Sequence, residues 1–243
     1  MSTVMLTAAV VMGSAAVRAE GLAVKSGETI AFLGDSITQQ GAAPGGYVSL
    51  VMSGLEANGI KVTAIPAGIG GNMCTHMLAR LEKDVLSKKP DWMTLSCGVN
   101  DVWLAKGVPL EKFKVNITKI VEQVQAANIK LMILTPTMKG EDQSNANNQR
   151  MVGYNDFLRT LAKEKKCLLA DLNADMQAII AKAGPEKKGN MLTKEGIHMN
   201  PTGNKMMATG VLKAFGLSAA QIAKAQEAWA KAPTPAAAPK KAK

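Results

Sequence analysis

The chain is poor in the residues from which metal and redox sites are usually built. Its 243 residues include two histidines and three cysteines, and aromatic side chains make up 4% of the sequence. Cys74, Cys97 and Cys167 form no C-x-x-C pair and no zinc-type spacing, so the sequence predicts no metal site. Cys97 and Cys167 lie in apolar runs, where cysteine usually packs as a small hydrophobic side chain. A disulfide that involves Cys74 stays open, because spacing alone does not decide it.

The usual nucleotide-binding and hydrolase motifs are also missing. The stretch "GIGGNM" fails as a dinucleotide fingerprint, because Met73 stands where the third glycine belongs and no acidic residue closes the following strand. The sequence contains no P-loop, no H-E-x-x-H and no G-x-S-x-G elbow. We therefore expect no cofactor, whether nucleotide or metal.

The positive charge does not indicate nucleic acid as a partner. The net charge is +10, and half of it comes from residues near the two ends: Arg18, Lys231, Lys240, Lys241 and Lys243. The remaining lysines are scattered, and no basic stripe is interleaved with aromatic residues. Scattered lysines usually mark a solvated surface, so we predict no nucleic-acid partner.

The two ends differ in composition from the rest of the chain. Residues 1–19 form an apolar run that closes on small residues, which predicts a signal peptide and a secreted or periplasmic protein. The run carries no basic residue before Arg18, so a misplaced start or a buried helix stays open, but it is too short for a stable membrane span. Residues 231–243, rich in Ala, Pro and Lys, are predicted to be a disordered tail. Residues 20–230 are then one domain.

Short apolar runs alternate with longer amphipathic segments in this central part. Five runs are typical of buried strands, at residues 29–34, 61–66, 91–98, 130–136 and 167–172. Between them, four segments have apolar residues at helical spacing, at residues 47–59, 77–89, 110–128 and 151–166. This alternation predicts an α/β fold with a parallel sheet covered on both faces. Ligands bind such sheets outside the carboxyl ends of the strands.

The residues that follow the predicted strands could together hydrolyse an ester. That reaction needs a nucleophile, a base, a group that orients the base, and donors for the oxyanion. Ser36 follows the first strand, Gly70 and Gly71 follow the second, and Asn100 follows the third, while His198 supplies an imidazole that titrates near neutral pH. Helix caps and tight turns would explain each turn alone. Their joint occurrence favours a hydrolase site.

Four short blocks resemble those of the SGNH hydrolases, also called the GDSL esterase and lipase family. They are "GDSIT" at 34–38, "GIGGN" at 68–72, "GVND" at 98–101 and "EGIH" at 195–198. The resemblance covers about residues 29–212 and implies a three-layer α/β/α, flavodoxin-like fold with a five-stranded parallel sheet. It implies that Ser36 is the nucleophile and that His198 is the base. The oxyanion donors would be the N–H groups of Ser36 and Gly71 and the amide of Asn100, and no cofactor is needed.

The chain departs from the family pattern at two positions. Pro66 stands where the second block usually begins with Asn, which removes a polar contact but leaves Gly71 unchanged. Glu195 stands where the acid of the triad is usually Asp, so its longer side chain must fold back to reach the ring. A Ser-His-Glu triad is chemically sound, because the carboxylate only orients the ring and stabilises the imidazolium. The alternative is an exposed Glu195 and a backbone carbonyl that orients His198.

Three further residues carry weaker signals. His76 is expected in the first turn of a helix, where a structural role competes with a functional one. Trp103 follows "GVND" and could be a platform on which a sugar ring stacks, or it could pack in the core. Asn116 begins a glycosylation sequon, which occurs too often by chance to carry weight.

The sequence therefore predicts a secreted serine esterase that removes short acyl groups, O-acetyl above all, from carbohydrate. The short chain, the few aromatic residues and the lack of a long apolar insertion argue against a lipase lid. A lysophospholipase or thioesterase of the same family is the alternative. A non-catalytic carbohydrate-binding module is the alternative from another class. The sequence leaves the sugar and the oligomeric state open.

Overall fold

A computed structural model of the protein describes residues 21–103, 106–184 and 189–231. The predicted signal peptide lies outside the described residues, as does the predicted tail after Lys231. The strands are β1 (Thr29–Gly34), β2 (Thr63–Gly68), β3 (Trp92–Ser96), β4 (Lys130–Leu134) and β5 (Leu168–Ala170). The helices are α1 (Ser36–Gly41), α2 (Tyr47–Ala57), α3 (Cys74–Asp84), α4 (Leu110–Ala126), α5 (Ala146–Glu164), α6 (Leu172–Ala183), α7 (Pro201–Ala214) and α8 (Ala219–Lys231), with a 3₁₀ turn at Leu86–Lys88.

The five strands form one parallel sheet in the order β2-β1-β3-β4-β5. Helices α2, α6, α7 and α8 pack together as one layer, and α3, α4 and α5 pack together as another. Strand β3 is buried along its whole length, as a strand covered on both faces must be. This strand order is that of flavodoxin-like folds, so the predicted fold class is confirmed.

The elements differ from the predicted ones mainly at their ends. Strand β2 lies at Thr63–Gly68 and not at residues 61–66, because its pairing with β1 begins at Thr29 opposite Thr63 and continues to Gly68. Since β2 is an edge strand, it tolerates Pro66, which has no N–H to give to a ladder. Helix α3 begins at Cys74, three residues before the predicted segment, and therefore includes His76 in its first turn. Helices α1, α6, α7 and α8 lie outside the four segments predicted from helical spacing.

Two glycines let helix α1 pack directly on the strand ends. A Cβ atom on Gly68 would lie 2.3 Å from the backbone nitrogen of Gln39, and one on Gly34 would lie 2.0 Å from Oγ1 of Thr38. Either side chain would push α1 away from the sheet. The helix begins at Ser36 because Asp35 caps it, with Oδ1 accepting from the backbone N–H of Ile37 at 2.8 Å. In the described part of the chain, no helix is long and apolar enough to cross a membrane.

Candidate active site

Ser36 and His198 meet at the carboxyl end of the sheet although 162 residues separate them in the sequence. Ser36 is the first residue of α1, directly beyond β1, and its side chain is partly exposed. Nε2 of His198 lies 2.9 Å from its Oγ, a hydrogen-bond distance. The turn that carries His198 ends three residues before α7, which Asn200 caps by accepting from the backbone N–H of Gly203 at 3.0 Å.

Glu195 reaches the other nitrogen of the same ring. Its Oε1 is hydrogen-bonded to Nδ1 of His198 and also accepts from the backbone N–H of His198 at 3.0 Å. The longer side chain thus folds back onto its own turn. Partial burial would raise the pKa of Glu195, but the hydrogen bonds from the backbone and the ring of His198 outweigh it and lower that pKa. A carboxylate on Nδ1 keeps the proton there and leaves Nε2 free to accept from Ser36.

The groups expected to hold an oxyanion lie on the neighbouring strand ends. Asn100 donates from Nδ2 to the carbonyl of Asn72 at 3.0 Å, so its amide is fixed against the loop that contains Gly71. A primary amide has a second N–H, which this contact does not use. Gly71 has a φ of 73°, and a Cβ atom there would meet nothing within 4 Å. The arrangement gives Gly71 an open face and holds Asn100 beside it.

Trp103 lies at the surface and not in the core. Its side chain is 40% exposed, and Nζ of Lys139 lies 3.2 Å from the centre of its ring. Desolvation by partial burial lowers the pKa of Lys139. Lys139 covers one ring face, so a sugar would have to use the other face or displace the ammonium group.

Two other residues from the sequence analysis have structural roles. Nδ1 of His76 accepts from the backbone N–H of Met73 at 3.1 Å, which caps the start of α3. Asn116 is buried and donates to Sγ of Cys74 at 3.4 Å, so its amide nitrogen faces the interior. All three cysteines lie within the described residues and are free thiols. The disulfide left open for Cys74 is therefore not formed.

Asp35 directly precedes the candidate nucleophile, and no sequence signal assigns it a role. Asp35 is 2% exposed, and the nearby Asp101 is fully buried. Desolvation by burial raises the pKa of Asp35 to about 7, and the nearby charge of Asp101 adds to this, whereas His198 opposes it. Burial also raises the pKa of Asp101. A buried acid is therefore held close behind Ser36.

Arg80 is another residue that sequence reasoning missed. Its Nε donates to Oδ1 of Asn72 at 2.8 Å, and its Nη2 donates to the carbonyls of Gly34 and Ala67 at 2.9 Å each. A salt bridge of 2.8 Å to Asp84 holds the other end of the guanidinium. Arg80 therefore ties β1 and β2 to the loop of Gly71. No local signal marks this role, because the three acceptors come together only in the folded chain.

A hydroxyl, an imidazole and a carboxylate in series, at the carboxyl end of a parallel sheet, form the arrangement of a serine hydrolase. A profile of the GDSL-like lipase/acylhydrolase family matches residues 32–206. The match covers more than half of the chain, so the chain belongs to this family and is a carboxylic ester hydrolase. The resemblance drawn from the four blocks is confirmed.

Two esterases and a lipoprotein are similar to this chain. The acetylxylan esterase of Geobacillus stearothermophilus is 26% identical over 216 residues, which cover 79% of this chain and 96% of that enzyme. The crystal structure of the acetyl xylan esterase AlAXEase is 37% identical and has a TM-score of 0.73, covering 76% of this chain and 98% of that one. The uncharacterized lipoprotein YqeF of Bacillus subtilis is 26% identical over 171 residues, or 60% of this chain and 70% of the lipoprotein.

The buried carboxyl of Asp35 predicts a pH-dependent stability. Because its pKa is raised to about 7 from 3.8, the native state keeps a proton that the unfolded chain has released between these values. Its contribution to stability therefore falls as the pH rises from 4 to 7. Asp35→Asn keeps the capping oxygen and removes this loss. The free energy of unfolding of the variant, relative to that of the wild type, should therefore rise by about 4 kcal/mol from pH 4 to pH 8. One pKa unit corresponds to about 1.4 kcal/mol.

Urea unfolding at pH 4.5, 6 and 8 measures this difference. Asp175→Asn, on α6, is the control. Desolvation by burial also raises the pKa of Asp175, but the charge of Lys213 opposes that shift. A constant difference between Asp35→Asn and the wild type at all three pH values would contradict the prediction.

Proposed function

We propose that the protein removes O-acetyl groups from carbohydrates, with Ser36 as nucleophile, His198 as base and Glu195 as the residue that orients the base. The observation that carries this proposal is the series of contacts from Glu195 through Nδ1 and Nε2 of His198 to Oγ of Ser36, with 2.9 Å at the last step. The esterase relatives named above support acetylated xylan as the kind of substrate.

The reaction would proceed in two halves. Oγ of Ser36 attacks the acetyl carbonyl carbon and gives its proton to Nε2 of His198. The oxyanion is held by the N–H groups of Ser36 and Gly71 and by the amide of Asn100. His198 then returns the proton to the sugar oxygen as the carbon–oxygen bond breaks, which leaves an acetyl-enzyme. Water attacks the acetyl group and gives a proton to His198, which passes it to Oγ of Ser36 as the bond between Oγ and the acetyl carbon breaks, so acetic acid leaves and both residues are restored.

We also propose that the protein acts outside the cytoplasm. The apolar run at residues 1–19 and its small residues before position 20 support this, as does the similarity to a bacterial lipoprotein.

An acyl-chain series tests the acetylesterase proposal. We expect the highest kcat/KM on p-nitrophenyl acetate, a steady fall toward the decanoate, and release of acetate from acetylated xylan. Ser36→Ala is the control and should lose nearly all activity, because only background catalysis remains without the nucleophile. A maximum at about eight carbons or more would favour a lysophospholipase or thioesterase. No turnover, together with no fluorophosphonate labelling of Ser36, would favour the non-catalytic binding module.

Glu195→Gln tests the third member of the triad. The NH₂ group of glutamine can donate to Nδ1 and leave the ring proton on Nε2, the wrong tautomer for a base, so kcat should fall while KM changes little. Replacing a buried triad carboxylate costs about 10⁴-fold in kcat. The side chain of Glu195 is 53% exposed, and solvent screens its charge, so we expect a smaller fall of about 10²-fold. Glu56→Gln, an exposed glutamate on α2, should keep the wild-type kcat. If Glu195→Gln also keeps it, a backbone carbonyl orients the ring instead.

Trp103 is proposed as a stacking surface for the sugar. Trp103→Ala should raise KM about 5- to 10-fold on acetylated xylo-oligosaccharides, the equivalent of about 1 kcal/mol of ring contact. The KM on p-nitrophenyl acetate should not change, because that substrate has no sugar. Trp103→Phe keeps an aromatic face and should recover most of the affinity. An equal effect of Trp103→Ala on both substrates would argue against stacking.

A further inference from the structure

Glu141 binds the segment that leads into the turn of Glu195 and His198. Its side chain is 3% exposed. The two carboxylate oxygens accept from the backbone N–H groups of Met191 and Leu192 at 2.8 Å each. Oε1, which binds Leu192, also accepts from the backbone N–H of Thr193 and from its hydroxyl, both at 2.7 Å, and Oε2 binds Met191. Three consecutive residues are thus held by one buried carboxylate.

Backbone contacts continue this hold to the tip of the turn. An antiparallel bridge joins Thr193 to Met199, and the backbone N–H of Lys194 donates to the carbonyl of His198 at 2.8 Å. The turn is therefore closed at the residues that Glu141 binds. Beside Glu141, the backbone N–H of Gly140 donates to the carbonyl of Gly196 at 2.6 Å. The segment after β4 thus contacts the turn both where it starts, at Thr193, and at its tip, at Gly196.

The chemistry of the site requires a carboxylate. A carboxylate only accepts hydrogen bonds, and four donors among the described residues converge on this one, three of them on Oε1. Burial would raise the pKa of Glu141, but the hydrogen bonds from Thr193, Met191 and Leu192 outweigh it and lower that pKa. A glutamine would keep one acceptor oxygen and turn an NH₂ group toward an N–H donor. The variant would therefore lose part of the hydrogen bonding to residues 191–193 without a change in the shape of the side chain.

We propose that Glu141 is a positioning residue for catalysis, whose carboxylate holds the turn of Glu195 and His198 so that Nε2 lies within reach of Ser36. The inference rests on the proposed function, since it assigns Glu141 a task in that mechanism. Ser36 is fixed by the sheet, whereas His198 reaches it from a turn outside the sheet. Displacing a catalytic group by about 1 Å costs about 10²-fold in rate. Glu141 acts on the rate through the position of His198 and does not itself touch the substrate.

Glu141→Gln is the direct test, measured on p-nitrophenyl acetate. We expect kcat to fall about 10- to 100-fold, with KM changed by less than about twofold and with a native circular dichroism spectrum. Glu28→Gln is the matched control. Glu28 is also a carboxylate with several donors, accepting from Lys25, Trp92 and Lys130, but it precedes β1 at the other end of the sheet. It should lower thermal stability and leave kcat within twofold of the wild type.

A double-mutant cycle distinguishes positioning from a general loss of stability. If Glu141 acts through the turn, Glu141→Gln should cost less in the Glu195→Gln background than in the wild type, because both changes disturb the same contacts. Losses that multiply would overturn the inference, as would a kcat of Glu141→Gln within twofold of the wild type. If Glu141→Gln does not fold, Thr193→Val removes one of the four donors. A fall in kcat of about threefold or more at constant KM then supports the inference, and an unchanged kcat overturns it.

Ser36→Ala, assayed beside these variants, separates the two proposals. If Ser36→Ala keeps the wild-type rate, the proposed function is wrong whatever Glu141 does. If Ser36→Ala is inactive and Glu141→Gln is fully active, only the positioning role fails.

Discussion

The order of the strands is the constraint on which the rest of the site depends. Strand β1 lies between β2 and β3, at the point where the direction of winding reverses, and ligands of such sheets bind there. Because the three strands are parallel, their carboxyl ends lie side by side. This places Ser36, Gly71 and Asn100 together, although each belongs to a different block of the sequence. Ser36 begins α1 directly after β1, and Asn100 donates to the carbonyl of Asn72 in the loop of Gly71, so this half of the site is built on the strand ends.

The other half of the site depends on side-chain contacts. His198 is not at a strand end but in a turn, and a turn has no ladder on either side to fix it. Its position depends on the bridge between Thr193 and Met199 and on the carboxylate of Glu141 below it. Buried hydrogen bonds to a charged acceptor are among the stronger ones in proteins. These hydrogen bonds position the turn of His198, as the end of β1 positions Ser36.

The sheet could be predicted from the sequence, and the four blocks could be recognised in it, because both signals are local. Buried parallel strands are continuous apolar runs, and the turns after them must contain small and polar residues. The ends of β2 could not be predicted, because its pairing with β1 sets them and not its own composition. Arg80 and Glu141 could not be found for a related reason. Both residues act through partners that are distant in the sequence: Arg80 binds three carbonyl or amide oxygens from separate segments, and Glu141 binds a segment about 50 residues away.

The change from aspartate to glutamate at position 195 is accommodated by the turn itself. Gly196 has a φ of 91°, a conformation that glycine adopts without strain, and it reverses the chain directly after the acid. This reversal gives the longer side chain of Glu195 room to fold back, so that its Oε1 is hydrogen-bonded to both the backbone N–H and Nδ1 of His198. A carboxylate shared in this way is fixed relative to the ring even though solvent reaches it. In the proposed triad, Glu195 would therefore contribute more to the orientation of His198 than to the field at Ser36, because water screens an exposed charge.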